Sequence, residues 1–318
     1  MRRSSSTGLA VVLALLSLTP PLASQEGNPK RVLGGHSFVP NPLLGDPFVG
    51  TFVRNASGGG NAIGLTVAVP DLDGNVAFTT EADIVFIDLA LEYQQNLTNW
   101  LAVRIGGNAG ARLGSSIESL LAEGATAIYG YNLGLTGQVV RTERFTLAGS
   151  LNLVPNKAYL IHPLEFAQSV LENGLDSASS LLTKGSGWRF TVGAHPAWAV
   201  TRWLGLVGQI DAGPNQASDE ETEEEQTQVT IGLGASVNLQ DVNGTPLGFI
   251  LGYAGQSGRV RGERIAGGSR AVNFGVFYTG VTRFSIGLDV THSSLDQELA
   301  NENINLVGAK LHLRYDFR

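Results

Sequence analysis

From Asn305 to the terminal Arg318 the chain alternates residue by residue. Val307, Ala309, Leu311, Leu313, Tyr315 and Phe317 are apolar, and Lys310, His312, Arg314 and Asp316 fall between them. Successive side chains of a strand point to opposite faces, so this stretch has one wholly apolar face and one charged face. A soluble sheet could bury the apolar face in a core. The same pattern recurs along the whole chain, behind a secretory-type leader, and that combination predicts an all-β, closed antiparallel transmembrane β-barrel.

The leader reading covers residues 1–24. Arg2 and Arg3 give a basic start, Leu9 to Leu16 an apolar centre, and Ala23-Ser24 small residues for cleavage. After it, no apolar stretch approaches the roughly 20 residues of a membrane helix. Yet hydrophobic residues make up 43% of the chain and charged ones only 15%, against about 25% in ordinary soluble domains. A chain that is apolar on average but never apolar in a run fits lipid contact at alternate positions. There is no cysteine, so an exported fold of this kind cannot rest on disulfides. The formal net charge of −7 argues against nucleic acid as a partner.

Residues 25–61 read as an irregular periplasmic lead-in with Pro40, Pro42 and Pro47, able to hold a short strand at Phe48–Val53 and to fold against or into the barrel. Residues 62–318 then read as the barrel, with about twelve strand-like segments starting at Ile63–Val69. In Ile84–Gln94, Val85, Ile87, Leu89, Leu91 and Tyr93 share one face, and Asp88 and Glu92 the other. Gln228–Leu239 alternates most cleanly. Short connections near Thr98-Asn99, Thr142-Glu143, Thr201-Arg202, Asp241–Thr245 and Val281-Thr282 interleave with long ones. Tight periplasmic turns alternating with long outer loops have this signature, and it places both termini on the periplasmic side. Trp100, Phe145, Trp198, Trp203, Phe284, Tyr315 and Phe317 cluster near the short turns, as an interfacial girdle would.

The mature chain resembles the Gram-negative outer-membrane β-barrel proteins, porins and channels among them. Its end, Leu311-His312-Leu313-Arg314-Tyr315-Asp316-Phe317, is similar to the terminal assembly signal of that class, although Arg318 follows the aromatic and His312 stands where glycine is frequent. The resemblance implies residence in the outer membrane, contact with its lipid and lipopolysaccharide, and recognition of the last strand by the barrel-assembly machinery.

Several segments bear on function. Pro163 to about Leu182 has apolar residues at three- and four-residue spacing and predicts a short helix in the longest outer loop, a candidate constriction. Asp219 to Glu225 is an acidic run read as a solvated loop tip. By parity the lumen-facing charges are Asp88, Glu92, Arg104, Arg189, Asp211, Asp289, Lys310 and Arg314, and Asp289 and Arg314 are candidates to pair across the last hairpin. Inward Gly193, Gly232, Gly234, Gly275 and Gly287 leave room for water or a small solute. His292 and Ser294, two apart at the outer end of the penultimate strand, resemble the His-x-Ser motif of lipid A 3-O-deacylases. That resemblance implies Ser294 as nucleophile, His292 as its base and Glu302 as orienter, but Leu295 stands where those enzymes carry Asn. His162 and His195 have no evident nucleophile or metal partner, and no cofactor is implied. The leading expectation is passive or weakly selective passage of a small solute. The alternatives are a structural or surface barrel with a blocked lumen, and an outer-leaflet lipid hydrolase.

Overall fold

The computed structural model describes residues 31–70, 76–115, 124–161, 182–218, 223–257, 268–295 and 304–317. Two short strands, β1 (Val32–Leu33) and β2 (His36–Ser37), form a small hairpin. The barrel follows: β3 (Phe52–Pro70), β4 (Val76–Asn96), β5 (Leu101–Gly114), β6 (Ala125–Arg141), β7 (Phe145–Ile161), β8 (Leu182–Ala199), β9 (Leu204–Ser218), β10 (Glu223–Asn238), β11 (Leu247–Gln256), β12 (Ser269–Val281), β13 (Phe284–Leu295) and β14 (Ile304–Asp316). Each strand pairs antiparallel with the next, and β14 closes on β3, with Arg314 opposite Arg54 and Gly308 opposite Gly60. Closure leaves no strand edge to be satisfied by lipid. Twelve strands and strict antiparallel order agree with the pattern in the sequence.

Apart from buried residues such as Phe52, Ile250 and Phe277, the large apolar residues of the barrel strands stand on the outside. Ile87, Leu89 and Leu91 on β4, Leu233 on β10 and Phe274 on β12 are each at least half exposed. No helix among the described residues is long and apolar enough to cross a membrane. Trp100, Trp198, Trp203, Tyr315 and Phe317 are exposed at the end of the short connections, where the girdle was expected.

Three boundaries differ from the sequence reading. The first barrel strand begins at Phe52, well before Ile63, because Asn55, Ser57, Gly59 and Asn61 occupy its outward positions and hide the alternation. Several strands also run on into stretches that read as loops, β7 to Ile161 and β9 to Ser218 among them. Where a strand has left lipid, both faces meet water, so the hydrogen-bond ladder continues without an apolar period. Third, the one helix among the described residues is α1 (Gln240–Asn243), a single turn in the short connection between β10 and β11. The helix expected over Pro163–Leu182 lies almost wholly outside the described residues, as do the leader and most of the acidic run.

Candidate functional site: a lumen closed by the amino-terminal segment

Residues 31–51 lie inside the short-turn end of the barrel. The β1–β2 hairpin turns at Gly34 and Gly35, whose φ of 54° and 81° is the left-handed region glycine tolerates. Its tip is held at the rim: the Gly34 amide donates to the Glu143 carbonyl at 2.6 Å, and Arg141 donates to the Val32 carbonyl at 3.2 Å. Asp241 of α1 accepts from the Ser37 amide and hydroxyl at 2.8 and 3.2 Å.

Beyond the hairpin the chain descends along the wall. Leu33, Phe38, Leu44 and Phe48 are buried against Ala197, Ala199 and Val207, and Val39 packs with Ile250 and Phe277. Burial of such side chains stabilises by roughly 1.5–3 kcal/mol each. Polar groups fix the path. Ser236 Oγ accepts from the Val39 amide at 2.9 Å, Gln209 accepts from the Gly45 amide at 2.7 Å, and Gln94 donates to the Phe48 and Gly50 carbonyls at 3.3 and 2.9 Å. Cavities at this contact hold about 10 Å³ each, room for no more than a single water.

Glycines make the bed. A Cβ on Gly205 would lie 2.4 Å from Phe38, one on Gly232 2.4 Å from Leu44, and one on Gly248 2.5 Å from Val39. The room that inward Gly232 and Gly234 were expected to leave for solute is taken by Asn41 and Leu44. Phe277 lies over Gly287 and Gly275, and Asp211 over Gly193. The glycines therefore serve packing, which corrects their reading as open space.

The eight charges assigned to the lumen all project inward, and each has a partner. Lys310 meets Asp88 at 2.9 Å; Glu92 meets Arg54 at 3.2 Å and Arg104 at 3.8 Å. Arg189 donates to Gln228 at 3.1 Å, and Asp211 lies 3.3 Å from His195. The expected Asp289–Arg314 pair does not form. Lys310, not Arg314, stands opposite Asp289, and Asp289 bonds His312 and, at 2.8 Å, Thr291. Arg314 faces Ser285 instead and turns to the segment. It pairs with Asp46 at 2.6 Å and Asp316 at 2.8 Å, and its guanidinium sits 3.7 Å above the Phe52 ring.

Asp46 is the centre of this latch, because Arg31 pairs with the same carboxylate. Burial alone would raise the Asp46 carboxyl, but the Arg31 and Arg314 guanidiniums outweigh it and hold the group well below the usual carboxylate range. His36 is fully buried against Ser236 Oγ and the Arg202 carbonyl, both at 3.2 Å, with Asp241 at 3.8 Å. Burial pushes its imidazole below the ordinary value in spite of that acceptor and that carboxylate. The docked segment therefore binds fewer protons than a released one. Docking is strongest above the free imidazole value near 6.5 and weakens as pH falls below it. Asp46 stays ionised through that window. Amide hydrogen exchange over residues 38–48, corrected for intrinsic pH dependence, is expected to quicken between pH 7.5 and 5.5. In His36→Phe the change should vanish.

Sequence reasoning did not single out Asp46, His36 or Gln94, which act through contacts between the segment and distant strands, and it left His195 without the partners it has in Ser150 and Asp211. The signal available was the apolar content of 31–51, with Phe38, Leu43, Leu44, Phe48 and Val49 in a stretch read as periplasmic. Ser150, His195 and Asp211 meet in the wall, but Ser150 Oγ and the Asp211 carboxylate share one nitrogen, Nε2. A relay needs the carboxylate on the opposite nitrogen from the hydroxyl, so this is a structural cluster beneath Gly45. His292 is exposed on the outer face between Val272 and Val307, and Ser294 follows two positions along the same face. No bond joins them, and Glu302 lies outside the described residues.

The sequence matches no protein-family model and no curated protein. Solved structures do resemble the chain. The translocator domain of the autotransporter NalP from Neisseria meningitidis aligns over 87% of this chain and 90% of its own, with 9% identity and a TM-score of 0.52. The fold is that of the outer-membrane β-barrels. Weaker likenesses are the transport unit of the Escherichia coli autotransporter AIDA-I (11% identity, all of both chains, TM-score 0.48) and the Pseudomonas putida toluene transporter TodX (11%, 90% of this chain and 96% of that one, 0.40). At these identities the likeness concerns architecture alone.

Proposed function

We propose that the protein is exported by its leader, resides in the outer membrane and acts as a closed channel for a small solute, with residues 31–51 as its internal plug. Assembly through the β14 signal and contact with lipopolysaccharide belong to the same reading. The observation that carries it is the character of the seal. A purely structural barrel could fill its lumen with wall side chains, as β12 does with Phe277. Here the blocking element is a separate strap of chain, held by a polar latch at Asp46 and resting on a bed of glycines. Among the described residues the strap is covalently continuous with the wall at Phe52 and otherwise held by noncovalent contacts, so it can leave without unfolding the wall.

A permanently blocked barrel is the second reading, favoured by the near absence of space around the segment. Planar-bilayer recording separates the two. The full mature chain is expected to stay closed with rare brief openings, whereas a chain lacking residues 31–50 should show steady discrete steps. A shortened chain that folds, judged by its shifted gel mobility before boiling, and still fails to conduct would establish the blocked barrel.

A further inference from the structure

Three consecutive strands, β6, β7 and β8, contain no Asp or Glu. Their outward face nonetheless carries Lys157 and Lys184, both exposed, and among the described residues neither has an ion pair or a hydrogen bond. Lys157 stands opposite Tyr129 on β6 and Ser186 on β8, and Lys184 stands opposite Tyr159 on β7. The two lysines are therefore diagonal neighbours, about 7–8 Å apart at the backbone. Like charges so placed repel, and no carboxylate of these strands offsets them. Tyr129 and Tyr159 stack beside them, with ring centroids 5.9 Å apart and hydroxyls at 3.4 Å. One phenolic hydrogen can bridge the two oxygens, which leaves the other to donate outward. Height decides what this cluster meets. Trp188 lies ten positions from Trp198 on β8. At about 3.3 Å per residue and a tilt of about 40°, that is about 25 Å along the barrel axis, the height of an apolar band. Lys184 stands four positions further on, about 10 Å higher by the same geometry, where headgroup phosphates lie.

We propose that this patch binds the phosphate of an outer-leaflet glycolipid, the phosphorylated lipid part of lipopolysaccharide. Two ammonium groups and a phenol converge as donors, and a phosphate group supplies oxygens for all of them. Lysine suits the position, because its stem lies along the apolar wall while its charge reaches the headgroup level. Below the cluster Tyr131, Leu133, Leu153 and Val192 are exposed, a surface for the acyl chains. The tyrosines favour a phosphate carried on a sugar over one carried on glycerol, since a sugar ring has a flat face to lay against an aromatic one. The assignment deepens the reading of outer-membrane residence and rests on it, with the long connections at the outer surface. It does not depend on conduction, so the channel and the lipid contact can fail separately.

The test measures the lipid A retained per barrel when the refolded mature chain is captured from detergent micelles of rising lipid A content. Lipid A bearing both phosphates should be retained saturably, and dephosphorylated lipid A and phosphatidylglycerol much more weakly. Lys157→Gln and Lys184→Gln should each weaken retention about fivefold, and the pair about thirtyfold, as expected for one and two cations at a charged lipid surface. The double arginine variant, Lys157→Arg with Lys184→Arg, keeps both charges and should retain lipid A as the parent does. So should Arg283→Gln, which removes a cation from the short turn at the opposite end. Each variant is first shown to be folded by its gel mobility before boiling. Absence of saturable retention, a double glutamine variant that retains lipid A as tightly as the parent, or equal retention of phosphatidylglycerol would each overturn the assignment. A barrel that retains lipid A but never conducts would sink the channel and leave the lipid contact standing.

Discussion

Asp46→Ala is expected to release residues 31–50 from the lumen while leaving the barrel folded. Arg31 and Arg314 share the Asp46 carboxylate, and the Arg314 side chain is only 3% exposed. Arg314 keeps Asp316, but Arg31 is left facing a second guanidinium across the gap. Removing one partner from a buried ionic cluster costs about 3–5 kcal/mol, because the remaining charge stays desolvated. The wall does not share that loss, since β3 and β14 pair through their backbones over the whole of Asn305–Asp316. The expected readouts are fast amide exchange at Val39, Leu44 and Val49, rapid trypsin cleavage after Arg31, and frequent conductance steps. Replacing the cluster together, Arg31→Met with Asp46→Leu and Arg314→Met, should restore closure, since an apolar set of similar volume leaves no deeply buried charge unpaired, and Asp316, which loses Arg314, is 29% exposed and stays hydrated. Were the single variant as closed as the parent, the latch would not be what holds the segment.

Two glycine substitutions on neighbouring strands should part company. In Gly232→Val the new Cβ collides with Leu44 at 2.4 Å, while the nearest wall atom, the Tyr253 carbonyl, is 3.3 Å away. In Gly213→Val it collides at 2.1 Å with the Phe190 carbonyl of β8, which cannot step aside without breaking the sheet. The first should therefore evict the segment and spare the barrel. Overpacking typically costs about 1–3 kcal/mol, enough to shift a marginal docking equilibrium. The second should lower the yield of refolded, heat-modifiable barrel. If both merely reduce the folded fraction, the segment is an integral part of the wall rather than a removable strap.

How far the sequence revealed this architecture depends on which residues touch lipid. Val229, Ile231, Leu233 and Ala235 declare their strand because lipid demands an apolar side chain at every second position. The lumen-facing charges were legible for the same reason, being the residues left over. β3 was half hidden, since Asn55, Ser57, Gly59 and Asn61 stand where lipid-facing residues belong. The partners of the charges were not legible. Asp289 and Arg314 lie on adjacent strands, but register puts Lys310 opposite Asp289 and leaves Arg314 to a residue 268 positions away. A one-step alternation says which face a side chain takes and nothing about its height on the wall. That the lead-in could fold into the barrel was legible, but not that it does, because the contacts that seat it are long-range, Val39 with Ser236 and Gly45 with Gln209 among them.

The central claim is that residues 31–51 occupy the lumen, and one disulfide tests it directly. The chain has no cysteine of its own. A Cβ built on Gly248 lies 2.5 Å from Val39 Cγ2, which puts the two Cβ positions within about 4 Å, inside the range a disulfide bridges. Val39→Cys with Gly248→Cys, refolded and mildly oxidised, should lose both thiols to alkylation and regain them on reduction. Two thiols that stay freely alkylated in a folded barrel would place the segment outside the lumen and contradict the account.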